Sequence, residues 1–137
     1  MKQFALAISM LLVLSANKCN NAAADTAATL KDKKWIMQTL MGEPLGLPPG
    51  MEQPWLQLAG DQVQGFGGCN ALMGSYTMDG SALNFLGVGS TKKYCEGIQP
   101  TETAIMEMLT KVESFKMDKT GLKLFGGSQE LATLESE

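Results

Sequence analysis

The residues able to do chemistry are few. The 137-residue chain has no His, and all 11 of its basic residues are Lys. Without His there is no Ser-His-Asp triad, no Cys-His dyad and no imidazole metal ligand. Without Arg there is no planar fork to grip a phosphate or carboxylate at two points. The thiols Cys19, Cys69 and Cys95 remain, with the acids Asp61, Asp79 and Glu102. No two of these acids form a recognisable general acid/base pair. Asp79 suits a turn with Gly80, and Glu102 suits the first turn of a helix, facing the positive end of its dipole. Gly65, Gly67 and Gly68 match no phosphate-binding pattern, and the segment after them is strand-like. They read instead as a tight corner that needs positive φ. Met is abundant, and thioethers suit copper(I). Yet Met106 and Met108 lie two apart on a predicted helix and cannot face one ligand. Met as core filler is the simpler account. The expectation is therefore no catalytic, metal or cofactor site, with an enzyme the least expected class.

The N-terminus reads as an export signal. Lys2 precedes the apolar run from Phe4 to Leu14. That run is well short of the ~20 apolar residues a membrane span needs. Two cleavage sites stay open. Cys19 stands where an acylated lipoprotein Cys would stand, although Lys18 before it fits poorly. Ala22-Ala23-Ala24, ahead of Asp25, satisfies the small-x-small rule. Loss of Lys2 and Lys18 takes the formal net charge from −3 to −5. An acidic surface with scattered Lys disfavours nucleic acid, and membrane contact is expected only through a lipid anchor. With Cys19 lipidated or discarded, Cys69 and Cys95 are left as a candidate disulfide in an oxidising compartment. Closing that loop of about 25 residues would add about 3–4 kcal/mol in the chain-entropy model. Two Cys without His make no zinc site, and there is no Cys-x-x-Cys for redox exchange.

The rest of the chain is organised to position the Cys69 corner. After a leader over 1–24, residues 25–33 read as a polar linker and 34–137 as one domain. Trp35–Leu40, Trp55–Leu58, Val63–Phe66, Leu72–Met78 and Ala82–Leu86 have strand character. A Pro-rich loop spans 42–54. Residues 87–94 are more irregular, and Pro100 marks a boundary. Residues 101–113 form the one predicted helix, capped by Thr101, with Ala104, Ile105, Met108, Leu109 and Val112 on a single apolar stripe. Short strands then resume at Phe115–Met117, Leu122–Phe125 and Leu131–Leu134. The sum is a mainly β single domain of about seven short antiparallel strands and one helix.

Gly68-Cys69-Asn70, followed by Gly74-Ser75-Tyr76, resembles the Gly-Cys-Asn…Gly-Ser-Tyr signature of the META domain, also called the HslJ-like family. Trp35 fits the opening strand of that family. Leu83-Asn84-Phe85 and Thr91-x-x-x-Cys95 resemble its next block, and Glu102, Leu109 and Val112 follow its helical segment. The likeness runs from about residue 30 to the C-terminus. Lys92 and Lys93 depart from it, since members often have apolar residues there. The resemblance implies a strongly curved antiparallel sheet, or a partly open barrel, with one helix packed across it. It also implies a bacterial envelope location, often as a lipoprotein. Some members are linked to heat shock or antibiotic tolerance, and the family supplies no catalytic residues.

The leading expectation is a non-catalytic envelope domain with a stress-related binding or interaction role. It would lie in the periplasm or be lipid-anchored to the outer membrane. Its partner would be an envelope protein. The alternatives are a carrier holding a small apolar ligand in the barrel interior, and an inhibitor or assembly factor acting through loop 42–54. Mass spectrometry of the exported protein should find either a diacylglyceryl group on Cys19 or an N-terminus at Asp25. An uncleaved N-terminus would refute the export reading.

Overall fold

The computed structural model describes residues 28–137. The predicted leader, Cys19 and both cleavage sites lie outside them. Nine strands and a long helix make up the described chain: β1 (Lys34–Leu40), β2 (Glu43–Pro44), β3 (Trp55–Ala59), β4 (Gln62–Phe66), β5 (Ala71–Asp79), β6 (Ala82–Ser90), α1 (Gln99–Lys111), β7 (Ser114–Asp118), β8 (Gly121–Gly126) and β9 (Gln129–Ser136). A short helical stretch at 28–30 precedes β1.

Alternation of apolar and polar residues makes these segments strands, because successive side chains on a strand point to opposite faces. Leu56 and Leu58 of β3, Leu72 and Tyr76 of β5, Leu83 and Phe85 of β6, and Leu122 and Leu124 of β8 all turn inward and are buried. Two-residue turns join β3 to β4 at Gly60-Asp61, as expected, and β5 to β6 at Gly80-Ser81, one residue beyond the expected Asp79-Gly80, since Asp79 still pairs with Ala82. Neighbours in sequence therefore pair antiparallel, in the order β3-β4-β5-β6-β7-β8-β9. β1 then pairs with β3 on one side and β9 on the other, so the curved sheet closes into a ring. The seam between β6 and β7 is the thin point, with Ala82 opposite Ser114 as its one register pair. Helix α1 packs against β6 and adds Ile105, Met108 and Leu109 to the same core. The predicted apolar stripe is thus the face that closes the structure.

Strand direction fixes two ends. At one end lie the turns after β3, β5 and β7, with the start of β1 and the finish of β9; Glu137 N donates to Lys34 O at 3.0 Å. At the other end lie the corner between β4 and β5, the connection from β6 into α1, and the β8–β9 turn.

Four expectations need correction. All eight segments read as strands are strands, one more than the expected total of about seven, and Glu43–Pro44 adds a ninth by a two-residue pairing with β1 inside the Pro-rich loop. Of the irregular stretch expected at 87–94, residues 87–90 continue β6 past a register shift between Met73 and Ser75, while 91–94 lie in no strand, as expected. The helix occupies Gln99–Lys111 rather than 101–113, and Ile98, not Thr101, holds the N-cap position without a side-chain bond. Pro100 sits in the first turn, where its missing N–H has no helical partner to lose. Lastly, residues 28–33 belong to the domain rather than to a linker. Leu30 is fully buried, its carbonyl accepts from Trp35 Nε1 at 2.9 Å, and Asp32 N donates to Leu58 O at 2.8 Å.

The β7–β8 turn carries a pH-sensitive charge. Asp118 accepts from the hydroxyl and the N–H of Thr120, and pairs with Lys123 at 3.2 Å. The Thr120 hydroxyl, then its N–H, then Lys123 stabilise the carboxylate, lowering its pKa from 3.8 to about 2. A depressed carboxylate stabilises the fold above its unfolded pKa, and that stability fades as pH falls through the folded value. The chain should therefore exceed Asp118→Asn in urea resistance by a constant margin above about pH 4. The margin should vanish toward about pH 2. A pH-independent gap in urea melts would refute this.

Candidate functional site

The residues singled out in the sequence separate into two groups. Trp35, Gly74 and Tyr76 belong to the barrel wall. Trp35 ties the 28–33 segment to β1 through its bond to Leu30. Gly74 lies against Val88, where a Cβ would come within 2.8 Å of the Val88 Cα. Tyr76 reaches the other end of its strand and donates to Gly60 O at 2.7 Å, pinning the β3–β4 turn.

Gly68, Cys69, Asn70, Thr91, Cys95 and Glu102 meet at the end of the ring opposite the chain ends. Cys69 and Cys95 form the expected disulfide, with Cα atoms 5.9 Å apart and a sequence separation of 26. The bridge ties the β4–β5 corner to the connection entering α1. Gly68 makes the corner possible: its φ is +107°, and a Cβ there would meet Ile98 Cγ1 at 2.7 Å. Gly67 leaves room for Glu102, whose Cγ would lie 2.8 Å from an added Cβ.

Glu102 is 6% exposed and accepts three N–H groups. Its Oε2 takes the main-chain N–H of Cys69 at 3.2 Å and of Asn70 at 2.7 Å. Its Oε1 takes the Asn70 side-chain amide. Buried charges are tolerated only with such partners. Asn70 then passes the order on. Its Nδ2 also donates to Lys93 O at 3.0 Å, while its Oδ1 accepts from Lys93 N at 2.7 Å and from the Thr91 hydroxyl at 2.8 Å. Asn70 thereby grips Lys93 as a neighbouring strand would. Thr91 Oγ1 in turn accepts from Ala71 N at 3.1 Å. Among the described residues no buried side-chain polar atom lacks a partner.

The convergence of Glu102 with Asn70 was not visible in the sequence, where Glu102 reads as a residue answering the helix dipole. The adjacent Gly67 and Gly68 were the signal available, since they mark a close approach by something. Lys93 takes part through its main chain, which no side-chain pattern reports. Asp61 and Asp79 remain at turns far from Glu102, so the three acids do not come together. Among the described residues no cluster of three or more His, Cys, Asp or Glu is placed to hold a metal ion.

Beside this network lies a groove of about 500 Å³, between the segment Ser90–Tyr94 and the α1 face bearing Gln99, Thr103 and Met106. Asn70 and Glu102 form part of its lining. Lys92 and Lys93 stand on its wall, and Tyr94 is 80% exposed.

A closed antiparallel ring with a long helix packed against β6, stapled at a Gly-Cys-Asn corner, defines the class of domain. The META domain model matches residues 28–137, and the chain belongs to that family. An NMR structure of a protein from Burkholderia xenovorans has a similar fold, with a TM-score of 0.67 at 22% identity, covering 99% of this chain and 95% of that one. A second NMR structure gives a TM-score of 0.62 at 18% identity, covering 78% of this chain and 92% of that one. No curated protein matches this chain.

The network has a direction, which a substitution can test. In Glu102→Gln the remaining oxygen can serve the two main-chain N–H groups. The new amide then faces the Asn70 amide, donor against donor. Flipping Asn70 would only move the conflict to Thr91 and Lys93. Urea denaturation of Glu102→Gln with the disulfide intact should show a loss of about 1–3 kcal/mol. A neutral result would mean that the network holds nothing in place.

Proposed function

We propose that this chain is an exported, non-catalytic binding domain of the bacterial cell envelope, serving a stress-related role through its outer surface. The observation carrying this reading is how its polar motif residues are used. Glu102, Asn70 and Thr91 are committed to one another and to the main chain, so none of these three side chains is left to act on a substrate. Recognition then falls to groups facing outward. Met73 and Leu86 stand out on adjacent strands, at 63% and 47% exposure. No charged residue lies on β3 or β4, and Asp79, at a turn, is the sole charge on β5 and β6. An uncharged sheet face with apolar points suits a protein partner.

The carrier alternative is weaker on packing grounds. Leu56, Leu58, Leu83, Phe85, Leu122 and Leu124 belong to one contiguous buried cluster that occupies the ring. A ligand would have to displace side chains held at interior density.

The test uses photo-crosslinkers at Met73 and Leu86, with Lys119 as control, in cells grown at raised temperature. A discrete adduct from the first two positions and none from the control is expected. One-to-one uptake of a long-chain fatty acid, with chemical-shift changes at Leu56, Leu83 and Leu124, would overturn the reading in favour of a carrier.

A further inference from the structure

We propose that the groove between Ser90–Tyr94 and helix α1 is a binding site for a carboxylate, carried by a small acid or by an acidic peptide. The proposal rests on the outer-surface reading above and gives that surface a specific chemistry.

Its first support is the fixed wall. The segment 91–95 belongs to no strand or helix. It is held at Thr91 and Lys93 by Asn70, at Lys93 O by Gln99 Nε2 at 3.4 Å, and at Cys95 by the disulfide. A wall ordered before binding loses little freedom when a ligand arrives. Its second support is what the wall displays. Lys92 and Lys93 are adjacent cations that take part in none of the ion pairs or ring contacts among the described residues. By contrast Lys34 pairs with Glu52 and Glu137, Lys123 pairs with Asp118, and Lys31 and Lys116 lie over aromatic rings. Tyr94 follows directly, with its ring in water on immobilised main chain, an arrangement enriched where surfaces bind.

Charge sets the sign. The groove contains one acid, Glu102, and its charge is already answered by three N–H donors. The two ammonium groups have no such answer, so an incoming anion meets net positive charge. Thr103 on the opposite wall and the Tyr94 hydroxyl add neutral donors. Met106 and the tyrosine ring add apolar surface for the carbon skeleton. With no guanidinium in the chain, a carboxylate would be met by point charges and hydroxyls, so binding should be modest and salt-sensitive.

The experiment is an NMR titration of the disulfide-bonded protein with succinate and, separately, with a pentaglutamate peptide. Amide shifts at Ser90–Tyr94 and Gln99–Thr103 should saturate. The double variant Lys92→Ala/Lys93→Ala should bind about tenfold more weakly, while Lys119→Ala binds as the parent does. Saturation by both probes supports a small-acid site, and saturation by the peptide alone supports an acidic segment. Absence of saturable shifts with either probe up to about 10 mM overturns the proposal, as does unchanged affinity in the double variant. Such a failure, with the Met73 and Leu86 cross-links still formed, removes this site alone. Fatty-acid uptake into the ring removes the outer-surface reading itself.

Discussion

One buried carboxylate organises the far end of this molecule. Glu102 lies on the first turn of α1, yet its oxygens reach across to the corner between β4 and β5. Three donors from two consecutive residues converge on it. A charge in that position is tolerable only if every donor stays in place, so the helix and the corner fix each other. The disulfide makes the second tie between the same two regions. Asn70 extends the order to Lys93, and Thr91 carries it back to the start of β5. The glycines at 67 and 68 are consequences of this closeness, since side chains there would push the helix away.

The ring and the network divide the labour. The ring is held by alternating apolar residues and continuous antiparallel pairing, and it needs no particular partner at any single position. Its weak point is the β6–β7 seam, where one register pair joins two long hairpin systems. The helix packs against β6 and completes the core with Ile105, Met108 and Leu109. The network then decides where the start of the helix sits. Apolar burial thus supplies the bulk of cohesion, while a handful of polar contacts set orientation.

Much of the ring was legible in the sequence because period-two alternation is a local property. Gly60-Asp61 announced the first hairpin turn, and Asp79-Gly80 announced the second one residue early. The bridge followed from parity and from the expectation of export, and the ordered motifs pointed to the META domain. What escaped notice was non-local or carried by main chain. Glu102 and Asn70 are 32 residues apart, and nothing in either neighbourhood names the other. Leu30 sits among polar residues, so the segment 25–33 looked like a linker, although that one side chain and its carbonyl are docked. The helix start was misplaced by two residues because Pro100 reads as a breaker when it is a starter.

The geometry of the chain ends has a mechanical corollary. β1 and β9 lie side by side and antiparallel, with Lys34 and Ser136 at the same pole. Tension applied to both termini would therefore peel that pair open rung by rung, like a zip, instead of loading every rung in shear. Suspended from a single terminus, the same barrel feels no such tension, and its stapled pole hangs farthest from the point of suspension.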